Sequence, residues 1–439
     1  MQKATSKATT TKKAAPKTTN GFIKPATANG AKSGSASTGS NGKARNGANA
    51  VAAPPPRQSV QEPESRALRL SRLAAKWLSA ITAAGMFIVL LMGTLVTNTG
   101  SQAGCGNDWP LCRGQLIPEF ALATAIEFSH RAVVGLESIL VLGMAVSILL
   151  YWRARLHIAL FTPAPAALRR FFGLSEATSG AGYQIFNGAY SALSPFVALG
   201  KAYRRSRIET RVLLPLMILF LLAQAMLGAL AVMYPESPEV LALHFGVSLL
   251  SFVTIVLPAI FVFDENGWDT LRDRLVTPGF RWLTWGLTAF TYIVVYLGAY
   301  VRHTGSELGC IDWPLCNGQV FPGFSGPAGA VFIHRLGALI LTAGVVWLFS
   351  WAWRLRAARP DLYWASLAAL VFVLAQALDG AFVVYSRLDI FSTLSHSAFV
   401  ALLFGALSYM TLHVLPRPQA ARVKTTSKRI LSGRAAAHA

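Results

Sequence analysis

The chain has 439 residues, of which 53% are hydrophobic and only 13% charged. That balance excludes an ordinary soluble globular domain and fits a protein that crosses a membrane several times. The net charge of +21 would suit a nucleic-acid binder, but the cations alternate along the chain with long apolar runs, so nucleic acid is set aside as the partner and topology takes its place.

Residues 1–66 are rich in Ala, Thr, Lys, Ser and Gly, with no acidic residue before Glu62. Such a segment cannot bury a core, and it lacks the apolar stretch of a signal peptide. The absence of acids leaves a mitochondrial transit peptide as an alternative, although Lys dominates over Arg. Residues 1–76 read as a disordered, basic cytoplasmic tail. Apolar runs long enough to cross a bilayer, which takes about 20 residues, follow at 77–97, 121–151, 212–234, 240–263, 281–301, 328–353, 363–385 and 392–414. The expected fold is an all-α integral membrane protein with eight transmembrane helices.

The tail before Trp77 holds 14 Lys/Arg, 152–211 nine, 264–281 three, 354–359 three, and the segment after Leu415 six. The opposite side has Arg113, Arg302 and Arg387, with Arg131 and Arg335 at helix starts. By the positive-inside rule both termini are cytoplasmic, and the basic segments add an attraction to anionic lipid. The expected organisation is a tail (1–76), an N-terminal four-helix half (77–263) with a cytoplasmic loop (152–211) carrying an interfacial helix near 183–205, a linker (264–280), a C-terminal four-helix half (281–415) and a basic tail (416–439).

The two halves repeat. LMGTLVTNTGSQAGCGNDWPLCRGQLIPEF, from Leu91 to Phe120, matches YLGAYVRHTGSELGCIDWPLCNGQVFPGF, from Tyr296 to Phe324. His130 follows Cys112 by 18 residues, and His334 follows Cys316 by 18. A second match, QAMLGALAVMY from Gln224 and QALDGAFVVYS from Gln376, is followed at 20 residues by His244 and His396. An even number of spans per half gives both copies the same orientation, as in parallel repeats related by an axis along the membrane normal.

The four histidines fall on the second, fourth, sixth and eighth spans, near the outer helix starts, two per bundle. One such histidine alone would be read as a packing residue. Four in register point to facing imidazoles that supply axial ligands to haem iron. His157, His303, His413 and His438 lack this register. Arg131 and Arg335, next to their histidines, suit haem propionates, with an interfacial anchor as the alternative. Glu127 shares a helix face with His130, and Val331 stands at its counterpart; conversely Asp379 stands where the first half has Leu227. All four cysteines lie in the outward loops. Cys105 with Cys112 and Cys310 with Cys316 are close enough in sequence to form local disulfides, while a redox-active role and a shared zinc site remain open.

Taken together, the TNTGS and GCGNDWPLCRG loop, the EFSHR and IHRLG segments and the later histidines resemble the haem A synthase family, over residues 77–415. The resemblance implies an oxidoreductase that turns the C8 methyl of haem O into the formyl group of haem A for terminal oxidases, with oxygen from water. It implies a haem b held by His334 and His396, the haem O substrate held by His130 and His244, and a functional role for Glu127. It also implies a bacterial cytoplasmic membrane location, with a haem O synthase, oxidase assembly factors and a homo-oligomer as partners beside the lipid bilayer. The second cysteine pair departs from many members and encloses one residue fewer than the first. Two rivals accompany this reading: a quinone-linked di-haem b cytochrome, which explains the histidines but not Glu127 or the loops, and a membrane thiol–disulfide exchange protein, which explains only the cysteines.

Overall fold

The computed structural model describes residues 65–173, 181–234, 237–264 and 267–417. The expected tails therefore lie mostly outside the described residues. Ten α-helices occur among the described residues: α1 (Arg66–Asn98), α2 (Leu122–Arg155), α3 (Ala166–Phe171), α4 (Ala181–Arg205), α5 (Ile208–Met233), α6 (Pro238–Phe263), α7 (Pro278–His303), α8 (Gly326–Leu355), α9 (Pro360–Tyr385) and α10 (Ile390–His413). All but α3 and α4 are long and apolar enough to cross a membrane, and these eight match the eight runs read from hydropathy. Helix starts follow capping chemistry. Thr277 caps α7 by accepting from Phe280 N at 3.4 Å, with Pro278 in the first turn. Asp389 caps α10 by accepting from Phe391 N at 2.9 Å.

Two expectations need correction at their edges. The first span reaches back to Arg66, so residues 66–76 are helical rather than tail. Ser65 caps this extension, and Arg66, Arg69, Arg72 and Lys76 recur at helical spacing, which gives it a polar face. The segment 152–211 is also more ordered than a loop: α4 spans the region of the expected interfacial helix and packs against α2. Its Ser194 hydroxyl receives Thr162 N–H at 3.3 Å and donates to Leu160 O at 3.2 Å.

Helices α1, α6, α7 and α10 pack in a closed circuit, with α2 and α5 on one flank and α8 and α9 on the other. The same neighbours recur within each half: first helix against second and fourth, third against fourth. Helix α6 is the most enclosed of the eight, with most residues between Leu249 and Val262 buried. The apolar core is continuous across the halves and includes Val141, Met144, Leu249, Val345, Leu348, Leu407 and Met410.

The end of the bundle remote from the cysteine loops is held by buried ion pairs. Arg359 donates to both oxygens of Asp361, at 3.0 and 2.7 Å, and to His413 O at 2.6 Å. His413 Nδ1 lies 3.2 Å from the Asp361 carboxylate. Arg272 pairs with Glu209 at 2.6 Å and donates to Leu415 O at 3.1 Å. His413, outside the histidine register in sequence, is thus part of this clasp.

Candidate functional site: a histidine-lined cavity under two disulfide loops

Each cysteine loop closes on itself and then docks on the helix that follows it. The disulfides Cys105–Cys112 and Cys310–Cys316 are formed. Reciprocal backbone bonds join Cys112 with Gln115 and Cys316 with Gln319. Between them Arg113 with Gly114, and Asn317 with Gly318, take left-handed backbone conformations. In the second loop Asp312 accepts from Asn317 N at 2.6 Å and Gly318 N at 2.8 Å. These backbone donors hold its carboxyl below the ordinary aspartate value of 3.8.

The arginines after the histidines fasten the loops. Arg131 donates to the carbonyls of Asp108 and Leu111, both at 2.7 Å. Arg335 donates to Leu315 O at 2.6 Å and Cys310 O at 3.5 Å. The two halves differ in the final contact. Glu127 accepts from Arg131 at 2.5 Å and from Cys105 N at 2.8 Å, so its two oxygens join the loop to α2. Val331, its counterpart, packs instead in a small apolar cluster with Cys310 and Cys316. The four sulfur-bearing residues are 0–2% exposed. Thiol–disulfide exchange needs access to a sulfur, so the rival built on it finds no support here. With both pairs closed as disulfides, no cysteine thiolate is left to form the shared zinc site.

Beneath the loops lies a cavity of about 1370 Å³ lined from both halves. This exceeds the roughly 300–1,000 Å³ of ordinary ligand sites. His130, His244, His334 and His396 all line it, as do Glu127, Arg131 and Arg335. The Nδ1 atoms of His130 and His244 have no hydrogen-bond partner among the described residues. Each imidazole edge faces a glycine of the preceding span: Gly93, Gly228, Gly298 and Gly380 in turn. The approach is closest at Gly298, where an added Cβ would stand 2.9 Å from His334 Cε1. A largely apolar lining, four imidazoles and flat glycine cradles fit large planar macrocycles held by paired axial histidines.

Asp379 lies 3.3 Å from His396 Nδ1 and accepts from Ser395 at 2.7 Å. Three further groups line the cavity that sequence reasoning passed over. Gln224 contacts His244 Nε2 at 3.2 Å; the glutamine heading both copies of the second match was its signal. His303 also lines the wall, although it has no counterpart in register. The third is Glu137, a lone acidic residue in an apolar run, for which periodicity offers no cue.

Residues 76–408 match the family model described as cytochrome oxidase assembly protein. The chain is 34% identical over 344 residues to a haem A synthase of Bacillus licheniformis, covering 78% of this chain and 96% of that protein. It is 36% identical over 366 residues to a haem A synthase of Bacillus pumilus, covering 81% and 98%. It is 34% identical over 346 residues to a haem A synthase of Halalkalibacterium halodurans, covering 79% and 98%. The chain belongs to this family of cytochrome oxidase assembly proteins, the family of the haem A synthases.

Proposed function

We infer that the chain is a haem A synthase, an integral membrane oxidoreductase that oxidises the C8 methyl of haem O to a formyl group. The carrying observation is the cavity lined by four histidines from both halves, roofed by loops of which only the first is anchored by a carboxylate of the following helix. In this reading His130 and His244 hold haem O in the N-terminal half (77–263), and His334 and His396 are the axial ligands of a resident haem b in the C-terminal half (281–415). When bound, that haem b supplies an electron route out of the substrate half. The two halves act as parallel repeats, with both termini cytoplasmic and the cysteine loops outside a bacterial cytoplasmic membrane. Haem O synthase and oxidase assembly factors are the natural partners, as donor of substrate and acceptor of product.

The conversion replaces C–H bonds of a methyl group by C=O, takes oxygen from water, and releases protons and electrons in equal number. The chain's own task is to orient the macrocycle, keep the cavity dry except at the reacting carbon, and receive protons. Glu127 sits where it can do the last. Its carboxylate lines the cavity, and its contacts with Arg131 and Cys105 N–H hold it in place. The N–H groups of Arg131 and Arg335 not spent on loop carbonyls or on Glu127 would pair with haem propionates. Extraction of haem from the purified protein tests the reading. Haem O or haem A beside haem B supports the synthase, whereas haem B alone at two per chain would make it a di-haem cytochrome.

A further inference from the structure

Glu137 is a second carboxylate on the helix that carries His130, and it lines the same cavity. It is 3% exposed, and its Oε1 has no hydrogen-bond partner among the described residues. Its Oε2 lies over Gly85 of α1, so close that a Cβ on residue 85 would collide with it. The second half has neither feature. Leu341 stands at the position of Glu137 and Phe290 at that of Gly85, and both pack in the apolar core. A carboxyl left without a partner at membrane depth is costly, and a helix notched to house one marks a group that is satisfied when the cavity is filled.

The register suggests by what. Glu137 follows His130 by seven residues, two helical turns, which places it about 10 Å further along α2 on nearly the same face. Arg131 lies at the other end, against the loop. A haem ligated at His130 with propionates toward Arg131 directs its opposite edge along α2 toward Glu137. On haem O that edge carries the prenylated side chain, with a hydroxyl on the carbon next to the ring. The C8 methyl, in contrast, shares a pyrrole with a propionate and falls at the Glu127 end. Two hydroxyls of this wall are committed: Ser138 donates to Val134 O at 2.8 Å and Ser248 to His244 O at 2.8 Å. Ser251 and the amide side chains of Asn98, Gln102 and Gln224 also carry an unpartnered atom, but Glu137 is the acid among them.

We propose that Glu137 is the specificity residue of the substrate half: its carboxyl hydrogen-bonds the side-chain hydroxyl of haem O and so separates a hydroxyalkyl haem from a vinyl haem. The proposal rests on the assignment of the first half to haem O. A site built to bond a hydroxyl rejects the analogue that lacks it, because its own polar group is then stranded.

The test is a Soret titration of the purified protein, resident haem in place, with two iron porphyrins of equal size class: the monohydroxyethyl-monovinyl haem and divinyl haem B. The wild type should bind the hydroxyethyl compound roughly tenfold to a hundredfold more tightly. Glu137→Leu, which installs the residue of the second half, should remove the preference, and Glu137→Gln should retain part of it. Gly85→Ala, which displaces the carboxyl without deleting it, should weaken the preference and serves if the leucine variant fails to fold. Equal affinities in the wild type, or an undiminished preference in Glu137→Leu or Gly85→Ala, would overturn the proposal alone. If His130→Ala leaves the titration intact, the first half is not the substrate site and the assignment falls with the proposal.

Discussion

Two carboxylates that hold the loops, Glu127 from α2 and Asp312 from within its own loop, show how differently one side-chain type is used. Glu127 joins Arg131 and the backbone of Cys105, so its substitution tests chemistry and architecture at once. Glu127→Gln keeps an acceptor for Cys105 N–H and removes the charge. If the carboxylate receives protons, turnover of haem O falls by about 10²–10⁴-fold, while the resident haem spectrum and the thermal midpoint stay near wild type. Unchanged conversion would leave Glu127 as a loop anchor only. Asp312 is exposed to pH rather than to substrate. Its carboxyl is held below its ordinary value by the Gly318 and Asn317 amides. A depressed folded-state value means that its contribution is complete above pH 3.8 and fades as pH falls through the lower folded value. Amide exchange at Asn317 and Gly318 should therefore stay slow at pH 5 and accelerate only below the ordinary aspartate range. Acceleration near neutrality would show that the carboxylate does not hold this turn.

At the scale of elements, the cradle and the clasp make separate predictions. Gly298 lets α7 lie flush against the imidazole of His334, so Gly298→Ala forces the ring aside and should cut resident haem content severalfold with the helical far-UV signal preserved. Haem at the wild-type level would mean that the ring has room to move. Asp361, fully buried, is bonded twice to Arg359 and lies beside His413. Asp361→Ala leaves a buried guanidinium without its partner and should cost about 3–5 kcal/mol, read as a lowered midpoint of thermal unfolding in detergent. These elements differ in how far the sequence announces them. The eight spans were legible to within a few residues except at Arg66, because lipid exposure demands unbroken apolar runs. The four histidines stood out through repetition, whereas Gln224, which heads the repeated segment, was read only as part of the repeat. The loop-fastening task of Arg131 and Arg335 was hidden because their partners are backbone carbonyls, which leave no trace in residue identity. Glu137 was hidden because a single acid in an apolar helix shows its value only when Gly85 is seen across from it.

The whole molecule is one cavity between two similar but unequal halves. Arg302, at the end of α7, ties them at the loop end: it donates to Thr97 O of α1 at 3.2 Å and pairs with Glu307 of its own loop. The inequalities all fall along one line. The first half has Glu127 anchoring its loop and Glu137 in its wall, where the second has Val331 and Leu341. The second has Asp379 beside His396, where the first has Leu227 at that position. A carboxylate at the outer nitrogen of an axial imidazole fixes its tautomer and raises its basicity, which suits a haem that stays bound. An uncommitted carboxyl such as that of Glu137 in an apolar wall suits a macrocycle that arrives, reacts and leaves. On that basis His334→Ala should release the resident haem, seen as loss of the low-spin b-type spectrum from the purified protein. His130→Ala should keep that spectrum and lose conversion of added haem O. The two variants must differ in this sense for the halves to divide the work. If His130→Ala lost the resident spectrum while His334→Ala retained it, the assignments of the halves would have to be exchanged, and with them the side of the cavity on which the methyl group is oxidised.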